Sequence, residues 1–224
     1  MSALIEHFQS YGDLYTAGLQ ATLYMVFMST LIAYIFGLPL GILLVITSPG
    51  SLLPQRFINS VLGTAINIGR SPPFIILVVT LIPLTRAVVG TSLGPRAAVV
   101  SLVIAAVPFV ARLIESSLKE LSSGVIEAAE SMGATIPKIV FGVMLTEAMP
   151  SLIRGVALTC ITLVGYSAMA GAVGGGGLGD IAIRYGYHRY QGDVMIATLV
   201  ILILLVQIIQ AAGNILARFV DKSK

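Results

Sequence analysis

Few residues in this sequence can do covalent chemistry, and those that can are poorly placed for it. Its two histidines, His7 and His188, stand at opposite ends of the chain, and its single cysteine, Cys160, lies inside an apolar run. A zinc site needs His, Cys or carboxylate ligands clustered together, and no His or Cys cluster is spelled out. There is no serine elbow and no Walker A sequence, so the chain is not expected to hydrolyse ATP itself. Gly174, Gly176 and Gly179 do satisfy the spacing GxGxxG. A dinucleotide site needs a strand before those glycines and a helix after them in a soluble unit, whereas here a span-length apolar run precedes them. They read instead as a flexible external turn that lets another chain approach closely. Ion-coupled transport would call for a carboxylate buried within a span, but Glu115, Glu147 and Asp193 fall near the ends of apolar runs. What remains is the chemistry of contact. The stretch Glu127-Ala128-Ala129-Glu130-Ser131-Met132-Gly133 is a polar island in a chain almost empty of charge.

That island has the grammar of a helix. Ser122 and Ser123 are placed to cap its N-terminus, Glu127 and Glu130 to lie near its positive dipole end, and Gly133 to end it in a left-handed turn, giving about nine helical residues. Thr135 and Pro137 then open a second helix that runs to about Ala148 and is stopped by Pro150. Two short helices joined at a sharp angle make a rigid protrusion, too polar for lipid and too short to fold alone. Ala128 and Ala129 keep its surface shallow, so the groove of another protein can come close to the backbone. An ordinary cytoplasmic loop that happens to be helical fits the same residues equally well.

The elements that hold this island are set by composition. Hydrophobic residues make up 57% of the chain and charged residues 10%, with a mean hydropathy of +0.98. Soluble domains average roughly 45–50% and about 25%, so this is an integral membrane protein. Its 224 residues leave room for roughly five or six spans of about 20 residues and no large soluble enzyme domain. The net charge of +3 is too small and scattered for a nucleic-acid surface.

Between Asp13 and Arg56 no side chain carries a charge. A helix that long would measure about 60 Å, twice the hydrocarbon thickness, so it must end inside the run, at Pro49-Gly50. Span one is expected from about Gly18 to Thr47. Span two, Phe57 to about Leu84, is interrupted by Arg70-Ser71-Pro72-Pro73. Each half alone is too short to cross a bilayer of about 30 Å, so the halves are expected to make one broken span. Spans three, four and five follow at about Ala97–Leu118, Leu152–Val173 and Val194–Ala217. Gly37 and Gly41 form a GxxxG pair in span one, best read as helix packing.

Basic residues orient the spans. With the C-terminus inside, the cytoplasmic side collects Arg56, Arg112, Lys119, Lys138, Arg154, Arg218, Lys222 and Lys224, and the outside only Arg86, Arg96, Arg184 and Arg189. That asymmetry puts the N-terminus out and the C-terminus in, and the acidic N-terminal tail with Glu6 and Asp13 does not oppose it. The island around Glu127 then faces the cytoplasm. No basic region followed by a short apolar run and cleavage site opens the chain, so the first span is expected to serve as its own insertion signal.

Glu127-Ala128-Ala129 followed by Gly133 resembles the EAA signature of permease subunits in bacterial ATP-binding-cassette importers. Where that pattern continues Ile-x-Leu-Pro, this chain has Val143, Leu145 and Thr146, with a proline only at Pro150. Arg70-Ser71-Pro72-Pro73-Phe74-Ile75-Ile76-Leu77, Ile82-Pro83-Leu84-Thr85-Arg86 with Val89-Gly90-Thr91-Ser92, and Leu163-Val164-Gly165-Tyr166-Ser167-Ala168-Met169-Ala170-Gly171 are similar to the methionine-importer permeases. The likeness covers about Gly18 to Gln210. It implies an all-α integral membrane protein with five transmembrane helices of the type I importer permease fold: an external tail at 1–18, a transmembrane domain at 19–210 with coupling helices at about 123–148, and a cytoplasmic tail within 211–224. It further implies a homodimer in the cytoplasmic membrane, two copies of an ATPase that binds the ATP and Mg, and a methionine-binding lipoprotein outside. No cofactor is expected in this chain. Glu127, Ala128, Ala129, Met132 and Gly133 would couple to the ATPase, and methionine, L or D, would be the cargo. A permease for another small amino acid, or an ion-coupled secondary transporter, is the alternative.

Irregular helix inside a membrane is tolerated only where protein or water satisfies the freed backbone, so Ser71 at the break is a candidate for the substrate path. Arg70 beside it would cost about 2.5–3.5 kcal/mol at mid-bilayer; pairing with a carbonyl or carboxylate and guiding substrate are equally good readings. Similarity to the family suggests that Tyr166, Ser167 and Met169 line or gate the path, against a packing role for this small-residue stretch. Tyr185-Gly186-Tyr187-His188-Arg189-Tyr190 fits an interfacial aromatic belt better than a receptor-docking surface.

Overall fold

A computed structural model describes the backbone of residues 2–221 and the side chains from Tyr11 onward, so Glu6, His7, Lys222 and Lys224 lie outside the described side chains. Every regular element among the described residues is helical. Helix α1 spans Ser2–Ile46, α2 Arg56–Arg70, α3 Phe74–Thr80, α4 Ile82–Val89, α5 Pro95–Lys119 and α6 Ser123–Ser131. After α7 (Ile136–Lys138) comes a π-helical stretch, Ile139–Met144, then α8 (Leu145–Glu147) and α9 (Met149–Ala172). Helix α10 (Gly177–Ile181), a second π-helical stretch at Ala182–Tyr187, and α11 (Gly192–Val220) complete the chain. Four segments are long and apolar enough to cross a membrane, Tyr11–Ile46, Pro95–Lys119, Met149–Tyr187 and Gly192–Val220, and α2 with α3 makes a fifth candidate.

The helices of spans three, four and five fall within a few residues of their expected places. The first helix starts earlier, at Ser2, because nothing before Pro39 breaks it. It ends ahead of Pro49-Gly50, at Ile46, and Gly50 takes φ +79° in the turn. Its orphan carbonyls are satisfied by side chains: the Asn59 amide donates to Leu44 O at 2.7 Å and the Thr47 hydroxyl to Leu43 O at 2.6 Å.

Span two differs from a single interrupted rod. Helices α2 and α3 meet at 94° across Ser71-Pro72-Pro73, and a further stop at Leu81 starts α4 with Pro83 in its first turn. The prolines remove two amide donors, and the chain leaves the helix at Pro73, which has φ −59° and ψ 132°, while Ser71 keeps helical angles. At the break the Ser71 hydroxyl donates to Asn67 O at 2.8 Å, and the Ile76 and Leu77 amides donate to Pro73 O at 3.0 Å.

By contacts the chain forms two compact units, each assembled from three separated stretches. One comprises residues 1–31, 72–103 and 160–208. Its core joins Tyr15, Leu178, Ile181 and Val194, and the buried Thr22 hydroxyl accepts the Leu178 amide at 2.9 Å. The other comprises residues 32–71, 104–159 and 209–224. There Leu44, Ile66 and Ala111 make one core cluster. Gly37 faces Val110, and Gly41 faces Ile114 and the Ala111 carbonyl, closely enough that a Cβ at Gly41 would sit 2.5 Å from Ile114 Cβ. The GxxxG pair is thus a packing seam between α1 and α5.

Candidate functional site

The polar island folds as α6, nine residues long, with Ser122 in the N-cap position. Ser122 makes no side-chain capping bond, and no acidic residue occupies the first turn. Glu127 is the fifth residue of the helix and Glu130 the eighth, beyond the first turn in which the dipole is felt. The helix is therefore closed at its far end rather than its near one. Gly133 has φ +74°, its amide donates to Glu130 O at 2.9 Å, and the Ala134 amide reaches back to Ala129 O at 3.1 Å. This pair of bonds is the Schellman stop, which a left-handed glycine makes easy.

The expected second helix, by contrast, is not one rod. Its π stretch packs against α6, and Pro150 lies in the first turn of α9 instead of stopping what precedes it. Proline suits that position because its missing amide is an orphan there in any case.

Alternate faces of α6 do different work. Ala129 is buried, 3% exposed, so it is a foot inside this chain and not surface for a partner, as the sequence had suggested. Glu127 and Glu130 help line an open cleft of about 280 Å³ with Val45 and Ile46 from the end of α1 and Leu52 from the turn beyond it. Outward stand Val125, 40% exposed, Ala128, and Met132, 81% exposed. Their spacing of three and four puts them on one helical stripe. Val125 escaped the sequence reading, although this spacing was the signal for it.

Three of the four candidate path residues lie on α9. Tyr166 stacks on Phe74 with ring centroids 4.5 Å apart and an interplanar angle of 2°. Ser167 is buried and its hydroxyl donates to Val164 O at 2.8 Å, so it is engaged within its own helix. Met169, two residues on, is 45% exposed. Ser71 belongs to the other compact unit, where its hydroxyl closes the last turn of α2.

The glycine run is a packed corner and not a flexible turn. Gly174, Gly176 and Gly177 all take positive φ. Gly174 O accepts the Gly94 amide at 2.8 Å, while Gly171 and Gly179 let α9 and α10 touch backbone to backbone. Helix precedes it on one side and follows on the other, with no strand. Beyond it, Asp180 and Arg184 pair at 2.6 Å and Arg189 lies 4.5 Å over the Tyr185 ring. Glu115, buried near the end of α5, is paired with Arg112 and Lys119, while Glu147 is exposed and Asp193 opens α11.

Residues 37–223 match the model of the family described as binding-protein-dependent transport system inner membrane component. The chain belongs to this family. It is 50% identical over 220 residues to the probable D-methionine transport system permease protein of Vibrio cholerae, covering 98% of each chain. It is 47% identical over 180 residues to the methionine import system permease protein of Bacillus subtilis, covering 80% of this chain and 81% of the relative. Among solved structures, the permease in an inward-facing crystal form of the MetNI methionine ABC transporter superposes with a TM-score of 0.94 at 46% identity, over 95% of this chain and 99% of that one. A crystal structure of an amino acid ABC transporter with histidines has a TM-score of 0.78 at 20% identity, which speaks to the fold alone. This family member is an inner-membrane permease component with several apolar spans.

Proposed function

We propose that the chain is the membrane-spanning subunit of an ATP-driven importer that carries methionine, of either hand, across the cytoplasmic membrane by alternating access. The observation that carries this reading is the near end-to-end match, half the residues identical, to a permease named for D-methionine transport. The chain works as a homodimer with two copies of a cytoplasmic ATPase, which bind the ATP and Mg and hydrolyse the nucleotide; the permease holds no cofactor. A methionine-binding lipoprotein delivers cargo from outside, where residues 1–18 emerge, while α6 and the C-terminal tail lie inside.

The stripe Val125, Ala128 and Met132 seats in a groove of the ATPase, with Glu127 at its edge and Ala129 and Gly133 fixing the helix from behind. Closure of the ATPase pair can tilt the spans only through a body both partners hold, and a helix stopped at Gly133 and backed by the π stretch transmits displacement that a loose loop would absorb. Tyr166, Ser167, Met169 and Ser71 are assigned to the path and its gate; Ser167 acts there by shaping α9. Co-purification with the partner ATPase, then methionine uptake into vesicles with and without ATP, tests the reading. Uptake at full rate without the ATPase refutes it.

A further inference from the structure

One hollow is lined by residues not assigned above, with Arg70 next in the chain to Ser71. It is open, about 370 Å³, and lined by Arg70 at the end of α2 and by Phe109, Arg112, Leu113, Glu115 and Lys119 of α5. All belong to one compact unit. The opposite side of α5, at Val110, Ala111 and Ile114, is taken by Gly37 and Gly41 of α1; with 3.6 residues per turn the two stripes point in nearly opposite directions. The hollow is thus the face of α5 turned away from α1.

Its charges do not cancel. Three cations, Arg70, Arg112 and Lys119, share it with one carboxylate, Glu115. Glu115 is paired with Arg112 and, at 2.7 Å, with Lys119. Arg112 is also committed to the Asn67 side-chain oxygen at 2.9 Å and the Gly63 carbonyl at 3.2 Å. The Arg70 guanidinium is exposed and has no hydrogen bond or ion pair among the described residues. A guanidinium is shaped to grip a carboxylate at two points. A carboxylate such as Glu115 has about four lone-pair sites, so two cations leave it room for another donor. Phe109 and Leu113 supply apolar wall.

We infer that this hollow is a transient station for the transported amino acid, with Arg70 receiving its carboxylate, Glu115 its ammonium group, and Phe109 and Leu113 its side chain. The inference rests on the functional reading above and names a site within it. A volume near the bottom of the roughly 300–1,000 Å³ range of ligand pockets suits so small a cargo. Its openness suits weak binding, which release requires.

The test uses the permease–ATPase complex without its receptor, in nanodiscs of phosphatidylcholine alone or with phosphatidylglycerol. Equilibrium dialysis at millimolar concentrations compares methionine with methioninamide, whose carboxamide carries no negative charge. The wild type is expected to bind methionine at least tenfold more tightly than the amide in both discs. Arg70→Gln should weaken methionine at least tenfold and erase the preference, and Arg70→Lys should keep part of it. Equal binding by wild type and Arg70→Gln, or no binding by either, overturns the station. An Arg70 effect confined to discs with phosphatidylglycerol assigns the hollow to a lipid phosphate and overturns it too. Failure of methionine uptake into vesicles is a separate result that removes the functional reading. The same dialysis with other neutral amino acids then decides the station by itself.

Discussion

Gly133 shows how one residue fixes the working surface. Its φ of +74° costs an L-residue about 1–2 kcal/mol, more when the side chain is β-branched, and the two bonds that close α6 depend on it. Gly133→Val is expected to loosen α6 and cut uptake by the ATPase complex several-fold while ATP hydrolysis persists. Ala128→Tyr should do the same without touching the fold, because Ala128 is exposed. Unimpaired uptake by both variants would remove α6 from the coupling role. Gly41 is the contrasting case: a side chain there meets Ile114 and the Ala111 carbonyl, and overpacking of this kind costs about 1–3 kcal/mol. Gly41→Leu should therefore lower the melting temperature of the purified protein. Gly165→Ala, with nothing within 4 Å of the new methyl group, should leave that temperature in place. Gly133 was legible in the sequence as a left-handed stop and Gly37 with Gly41 as a packing seam, whereas the run from Gly174 to Gly179 read as a flexible turn because spacing does not show what packs on it. The burial of Ala129 was not legible either, since alanine suits the buried and the exposed side of a helix alike.

At the level of elements, prolines told where helices must stop but not where the chain goes next. The break at Ser71-Pro72-Pro73 was readable from the missing amides; its 94° bend was not, since a bend is settled by what the following helix packs on. That packing is visible at Phe74, which lies flat on Tyr166. Aromatic pairs contribute about 0.5–1.5 kcal/mol beyond their buried area, and Phe→Ala in a core costs about 3–5 kcal/mol. Phe74→Ala is accordingly expected to destabilise the protein strongly in thermal unfolding, and Tyr166→Phe hardly at all, since the stacked ring is kept. The π-helical stretch behind α6 was also hidden, because one additional residue per turn leaves no mark in hydropathy. The acidic residues of α6 misled for a related reason: register decides whether a carboxylate meets the helix dipole, and the starting residue moves that register.

For the molecule as a whole, composition fixed the solvent and the number of long spans, because hydropathy over about 20 residues is what a bilayer selects. Orientation rests on the lysine and arginine asymmetry and is open to a direct test. Met132, 81% exposed at the tip of α6, can be replaced by cysteine in a chain whose only native thiol, Cys160, has been changed to serine. The Met132→Cys thiol should react with a membrane-impermeant maleimide in inside-out vesicles and stay unlabelled in intact cells; the reverse pattern would invert the topology. What hydropathy did not reveal is that each compact unit is stitched from distant stretches. The bond from the Leu178 amide to the Thr22 hydroxyl spans 156 residues. At roughly 5–20 residues per second of synthesis, the first helix waits in the membrane for about 8–30 s before its partner leaves the ribosome. During that interval the hydroxyl has only its own helix carbonyls to bond. Nascent chains halted before Leu178 should consequently expose the first helix to crosslinking by the insertion machinery, and those released past it should not.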